Sequence, residues 1–343
     1  MKRKLTFSIV LILSCALVFA QAVSEGMTDG TPAKLFTDSC GRTVELPAEI
    51  TKVAPSGAVA TMILASIAPE YMVNVNSTPT ASQMKYLPPV LATLPATGQL
   101  YGSKATLNYE ELIATGAQVL VDLGDYKKGI AEDLDALQAQ IDIPCIFIEA
   151  DLVHMAEAFR SLGSILYNKE DRGEKLATLV DRTLEMAAGN RAMIKEDEKV
   201  RVMYTSGPDG LGTNARGSSQ AQVIELVGAE NAVVVDNVTS KGGGNTVSLE
   251  QVYNFDPDVI IFSADSIYST VGSNPAWVNL RAIRDGNYYE IPSDPYNWMS
   301  GPPSLNMILG IWWLGNLLYP QYYYYNMEQV AQEIYSILWN YNP

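Results

Sequence analysis

Asn108-Tyr-Glu-Glu-Leu-Ile-Ala-Thr-Gly-Ala-Gln-Val-Leu-Val121 aligns without a gap on Ser248-Leu-Glu-Gln-Val-Tyr-Asn-Phe-Asp-Pro-Asp-Val-Ile-Ile261. Each copy reads as a short helix running into a buried strand, because a polar start with apolar residues at helical spacing gives way to a β-branched apolar run. Asn108 with Glu111, and Ser248 with Gln251, fit the capping box that satisfies unpaired amides at a helix start. Leu107 with Leu112, and Val247 with Val252, occupy the two positions of a hydrophobic staple. A helix-strand unit written twice in one register implies two similar lobes. It also sets Glu110 and Glu250 in equivalent first turns, where the helix dipole favours a carboxylate whether or not it does anything else.

Outward from the first copy, candidate strands at Lys52–Pro55, Met72–Asn76, Val119–Leu123 and Cys145–Glu149 alternate with helices at Ala58–Ile67, Asn108–Thr115 and Gly129–Gln140. That rhythm belongs to a parallel sheet covered on both faces. Leu35 to Pro47 alternates around Cys40-Gly41 as a small hairpin. Between the copies, Leu176, Leu179, Val180 and Leu184 lie at helical spacing and predict one long helix bridging the lobes. Around the second copy come strands at Val200–Thr205, Ala232–Val235 and Tyr288–Ile291, and helices at Ser218–Val227, Ser304–Leu318 and Met327–Tyr341. Tyr322–Tyr325, between the last two helices, reads as packing rather than as a sugar platform.

The chain has 343 residues, 48% of them hydrophobic, enough for two cores. Met-Lys-Arg-Lys, an apolar run from Leu5 to Ala20 and Ala20-Gln-Ala22 have the three parts of a secretory signal, so export and cleavage after Ala22 are expected. Ile12-Leu-Ser-Cys15 loosely matches a bacterial lipobox with bulky Leu13 where a small residue is usual; lipidation of Cys15 is the alternative. Losing Lys2, Arg3 and Lys4 takes the net charge from −15 to −18, which argues against nucleic acid. Cys40 and Cys145 match no metal spacing, and a disulfide between them stays open. His154, the single histidine, reads as a helix-terminal or solvent residue, so no metal site is expected from it. The most apolar later run, Leu305 to Leu318, is shorter than the roughly 20 residues a membrane span needs.

Three further segments carry a family resemblance. Asp38-Ser-Cys-Gly-Arg-Thr-Val-Glu-Leu-Pro47 with Ile50-Thr-Lys-Val53, Gly217-Ser-Ser-Gln-Ala-Gln-Val-Ile-Glu-Leu-Val-Gly-Ala-Glu-Asn231, and Trp277-Val-Asn-Leu-Arg-Ala-Ile-Arg-Asp-Gly-Asn-Tyr-Tyr-Glu-Ile-Pro292 follow one another in the right order. Together with the repeat, they resemble the substrate-binding proteins of ABC importers for metal chelates and vitamin B12, across almost all of the chain after the leader. Ala229 departs from that pattern, which often has a second glycine there. The resemblance implies two Rossmann-like α/β lobes joined by a single long backbone helix: residues 23–152 and 199–343 as lobes, 153–198 between them, after a leader of 1–22. It implies a monomeric, non-enzymatic carrier that delivers cargo to an ABC permease dimer with its ATPase subunits. It also implies that Glu110 and Glu250 dock on the permease, one from each lobe.

Ligands of open α/β sheets sit beyond the carboxyl ends of the strands, so the cleft residues belong to loops. Candidates are Ser56, Tyr101 and Tyr126 in the first lobe and Arg216, Ser218 and Trp298 in the second. Arg216-Gly217-Ser218 suits an anionic group through a forked cation and helix-start amides, while the plainer reading has Ser218 cap its helix and Arg216 face solvent. Trp298 either lies on a flat ligand or wedges the Pro302-Pro303 turn. The expected cargo is an iron complex, siderophore or haem, with cobalamin and molybdate or tungstate as alternatives; no resident cofactor is expected. A hydrolase using Glu110 and Glu250 as acid and base is the rival class, weakened because duplicated positions give matched environments whereas acid and base need different ones.

Overall fold

The computed structural model describes residues 33–102, 106–239 and 244–341; the leader, with Cys15, lies outside them. β1 (Lys34–Thr37) and β2 (Thr43–Leu46) pair antiparallel as the expected hairpin. Asp38 closes its turn by accepting the amides of Cys40 and Arg42, and Ser39 N donates to Phe147 O at 2.9 Å, which ties the hairpin to the first sheet.

β3 (Val53–Pro55), α1 (Ala58–Ile67), α2 (Tyr109–Ala114), β4 (Val119–Gly124), α3 (Ile130–Ile141) and β5 (Cys145–Glu149) form the first lobe around a parallel sheet of order β3-β4-β5. All residues of β3 and β4 are buried, as a sheet covered on both faces requires. The strand expected at Met72–Asn76 is reduced to single bridges, Val53 with Met72 and Val75 with Ala96. Val73 N bonds β3 while Val75 N turns to Pro95 O, and buried Asn74 spends its amide on Thr97 and Pro55 instead of extending a ladder.

α4 (Met155–Ile165) leads into α5 (Glu170–Arg191), a helix of 22 residues or about 33 Å. The two helices cross backbone to backbone: a Cβ on Gly173 would come within 2.6 Å of Phe159 O. Leu176, Leu179 and Val180 are buried in a core that runs from Met62 and Leu64 of α1 to Ile308 and Leu314 of the second half.

The second lobe contains β6 (Arg201–Ser206), β7 (Gly212–Thr213), α6 (Gln222–Leu226), β8 (Glu230–Asn231), β9 (Asn245–Thr246), α7 (Leu249–Phe255), β10 (Val259–Phe262), α8 (Tyr268–Val271), α9 (Arg281–Arg284), β11 (Tyr288–Glu290), α10 (Asn306–Leu318) and α11 (Met327–Trp339). Its sheet runs β11-β10-β6-β7-β9, with β8 on the amino half of β6. The strand expected at Ala232–Val235 is displaced to Glu230–Asn231, because Asn231 Oδ1 accepts the Val233 amide and Arg216 N takes Val233 O, ending the ladder. The helix expected at Ser218–Val227 begins as a 3-10 turn, Ser219–Ala221, before α6.

The repeat has a physical basis in packing. Leu112 of α2 seals a core with Leu120, Leu134 and Phe147, and Val252 of α7 seals its counterpart with Ile260, Phe262 and Trp277. The Ser248–Gln251 box is complete; at Asn108 the side chain accepts from Glu111 N at 3.2 Å. Tyr323 is fully buried against Gly315 and Tyr325 OH donates to Trp312 O, so these two tyrosines pack on α10, while Tyr324 between them is exposed.

Candidate ligand cleft

Loops that follow the carboxyl ends of the two sheets touch. Ser82, which follows the bridged segment beside β3, donates to Asp294 Oδ1 at 2.6 Å, and Asp294 follows the carboxyl end of β11. Next to this contact Tyr86 packs on Tyr335 and Tyr341, with ring centroids 5.2 and 5.0 Å apart, and Tyr335 OH donates to Asp294 O at 2.5 Å. α11 thus belongs to the second half in sequence and touches the first. Arg172 of α5 reinforces the seam by donating to Ser66 O at the end of α1 and to Leu338 O at the end of α11, at 2.9 and 3.0 Å.

At the carboxyl end of the first sheet, Ser56 is buried between β3 and α1 and its hydroxyl donates to Asp122 Oδ1. Asp122 interrupts the apolar run of β4 and is 3% exposed; its second oxygen has no hydrogen-bond partner and lies 3.9 Å from Lys127 Nζ. Burial pushes the Asp122 carboxyl above the ordinary carboxylate range, against the opposing pull of Lys127, Ser56 and the Leu123 amide. Lys127 also stands 4.4 Å over the Tyr101 ring, whose hydroxyl donates to Asp133 at 3.1 Å. Tyr126 is 57% exposed, its ring edge toward Phe147. The first intrahelical bond of α1 runs from Thr61 N to Gly57 O, so the preceding amides at this edge lie outside the helical ladder. A cation, helix-start amides and two tyrosines therefore gather at the carboxyl end of the first sheet. Of these groups, Asp122 escaped sequence reasoning, and the signal was present: one acid inside a buried strand.

In the second lobe the structure separates the three candidates. Arg216 is carried back toward the amino end of β6 because β7 runs antiparallel to it. There its guanidinium donates to Glu230 Oε1 at 2.6 Å and Asn231 O at 2.7 Å, beside an open cavity of about 720 Å³ that also borders Arg191 and Lys199. Ser218 is buried and accepts from Gln220 N at 3.2 Å, capping the 3-10 turn. Trp298 is 7% exposed, donates to Asp294 O at 3.3 Å and edges onto Tyr335, which places it under the seam. Polar groups that the sequence did not single out cluster near it. Asn297 Nδ2 donates to Tyr204 OH at 3.1 Å, and Asn214 Nδ2 donates to Ser300 Oγ at 3.2 Å. Burial pushes the Tyr204 phenol up to about 12, so it stays a neutral donor and acceptor.

Glu110 and Glu250 are exposed in the first turns of α2 and α7. Cys40 and Cys145 are free thiols, pushed by burial to about 11 and about 12. No helix among the described residues is long and apolar enough to cross a membrane.

A family model described as periplasmic binding protein matches residues 55–295. The chain is similar to the Fe(3+)-citrate-binding protein YfmC of Bacillus subtilis (strain 168), 25% identical over 204 residues that cover 58% of this chain and 61% of that protein. It thus spans about three fifths of that curated relative's length. Among solved structures, an ABC transporter solute binding protein from Sulfurospirillum deleyianum DSM 6946 superposes with a TM-score of 0.82 at 28% identity, covering 90% of this chain and 95% of that one. The molybdate periplasmic binding protein MolA of Haemophilus influenzae, bound to molybdate, has the same fold, with a TM-score of 0.72 at 20% identity over 90% and 99% of the two chains.

Proposed function

From the premise that this chain belongs to the periplasmic binding protein family, we propose that it captures an anionic iron chelate between its lobes and delivers it to an ABC permease with its ATPase subunits. The observation that supports this reading is the cluster of Lys127, Tyr101, Tyr126 and the amino end of α1 at the carboxyl edge of the first sheet, in a chain whose two halves touch at Ser82 and Asp294. Cationic and amide donors suit carboxylates of a chelate, and tyrosine faces suit its organic frame. The name of the Bacillus relative, a ferric citrate binder, points to the same chemistry.

In this reading Ser56, Tyr101, Tyr126 and Lys127 contact cargo from the first lobe, and Asn297 with Tyr204 from the second. Ser218 and Trp298 support the second wall, and Arg216 holds β8 in place. Residues 23–152 and 199–343 act as the lobes after export and removal of 1–22, and the chain works as a monomer. Glu110 and Glu250 dock on the permease, where matched charge on both lobes sets orientation and speeds encounter. Family members are solute-binding proteins rather than enzymes, and Glu110 and Glu250 are exposed in the first turns of helices whose Leu112 and Val252 anchor separate cores.

Native mass spectrometry of the purified chain tests the cargo class. An iron chelate retained one to one is expected; retained cobalamin, molybdate or tungstate, or no adduct after incubation with ferric citrate and with haem, contradicts the iron reading. Reversing charge at both Glu110 and Glu250 should abolish uptake and leave affinity intact, whereas a loss of affinity refutes the docking role.

A further inference from the structure

The end of β5 brings together three side chains that the cleft does not use. Glu149, Asp151 and His154, the single histidine of the chain, each present a ligand atom within 4.8 Å of the other two. His154 Nδ1 lies 2.7 Å from Asp151 Oδ1 and 3.9 Å from Glu149 Oε1. In the sequence His154 reads as a helix-terminal or solvent residue without accompanying metal ligands; the folded chain sets its ring against both carboxylates.

We infer that Glu149, Asp151 and His154 bind a divalent transition-metal ion of the zinc class, with solvent completing its coordination. Two carboxylates and one imidazole are ligand types that such ions take, and three protein ligands with an open position is a recurring arrangement. Ligands of one ion stand at most about 4.2 Å apart, twice a bond of about 2.1 Å, so the cluster closes by small side-chain rotations. The carboxylates are short of cations: among the described residues, the only basic group in an ion pair with either is His154 itself.

The frame of the cluster is fixed. Glu149 pairs with Gly124 across the sheet, and its amide donates to Ser39 Oγ at 2.9 Å. His154 is the residue before α4, and its amide donates to Asp151 Oδ1 at 2.9 Å. A turn closed by the Asp151 side chain ahead of α4 accounts for that contact. It does not account for Glu149 facing the same imidazole. The ion sits on the first lobe, and its binding does not depend on the identity of the cargo.

The test is calorimetric titration of the tag-free chain with zinc chloride, repeated with cobalt chloride as an absorbance probe and with magnesium and calcium chloride as controls. One equivalent of zinc bound at micromolar or tighter dissociation constant is expected, with cobalt showing ligand-field bands and zinc raising the melting temperature. H154Q and E149Q should each weaken zinc binding at least about tenfold, while their metal-free melting temperatures stay near that of the parent chain. No saturable zinc binding overturns the inference. So does binding undiminished in H154Q, which locates the ion elsewhere, or equal binding of magnesium and calcium, which reveals a general acidic surface. A D151N variant that melts early in a chain that takes up no zinc reduces the cluster to a structural turn.

Discussion

Ser82 Oγ lies 2.6 Å from Asp294 Oδ1, although 212 residues separate them, and the pair spans the two lobes. Both side chains are exposed, so the bond itself adds little to stability. The neighbouring aromatic contact is different, because Tyr335 is 8% exposed and its ring meets Tyr86, Trp339 and Tyr341. S82A should therefore cost under about 1 kcal/mol in urea unfolding, and Y335A about 3–5 kcal/mol. Equal losses would show that the aromatic seam does not hold the lobes.

Asp122 predicts a pH dependence whose sign follows from its raised pKa. Unfolded, the carboxyl ionises near its ordinary value; folded, it keeps its proton to higher pH. The folded state thus binds more protons in the interval between the two values, and the stability Asp122 contributes is lost as pH rises through the folded pKa. D122N removes the titration and keeps an oxygen for the Ser56 hydroxyl. Its stability relative to the parent should rise from pH 4 to pH 8, measured as the shift in urea midpoint. A difference that is flat across pH would contradict the buried, raised carboxyl.

Arg216 and Lys127 separate structure from binding. The Arg216 guanidinium closes on Glu230 and Asn231 at the amino end of β6 while remaining partly exposed. R216A should lower stability by about 1 kcal/mol, a charged hydrogen bond discounted for its exposure, and change affinity for ferric citrate less than twofold. Binding that collapses in R216A would move the ligand to the cavity beside Arg191.

Two glycines of α5 give opposite expectations. A Cβ at Gly173 meets Phe159 O, whereas nothing lies within 4 Å of one at Gly189. G173A should destabilise by about 1–3 kcal/mol through forced separation of α4 and α5. G189A should stabilise by up to about 1 kcal/mol through helix propensity. Thermal melts decide, and a neutral G173A would mean that the helices part without cost.

The architecture was legible where local chemistry and periodicity agreed. The helix at Ala58–Ile67 and the strand at Cys145–Glu149 have their expected bounds, and the repeated unit has its helix starts because Asn108 and Ser248 cap locally. Legibility failed where a side chain took over a backbone bond. Asn74 and Asn231 both did so, breaking or ending strands that apolar runs had promised. The cleft was readable as loops and not as side chains. Gly217-Ser218 looked like an anion cradle in sequence, yet the antiparallel turn of β7 carries Arg216 away, a consequence of sheet topology that no local window contains. Trp298 lies under the seam because Gly310 admits its carbonyl against α10, where a Cβ would stand 2.0 Å away.

The most direct measurement is calorimetric titration of the chain and its K127A variant with ferric citrate. Saturable one-to-one binding by the parent chain and at least about tenfold weaker binding by K127A are expected, since a charge-assisted contact is worth about 1.5–3 kcal/mol. Heats of dilution alone from the parent chain, or equal affinity in the two proteins, would contradict an anionic chelate held at the carboxyl edge of the first sheet.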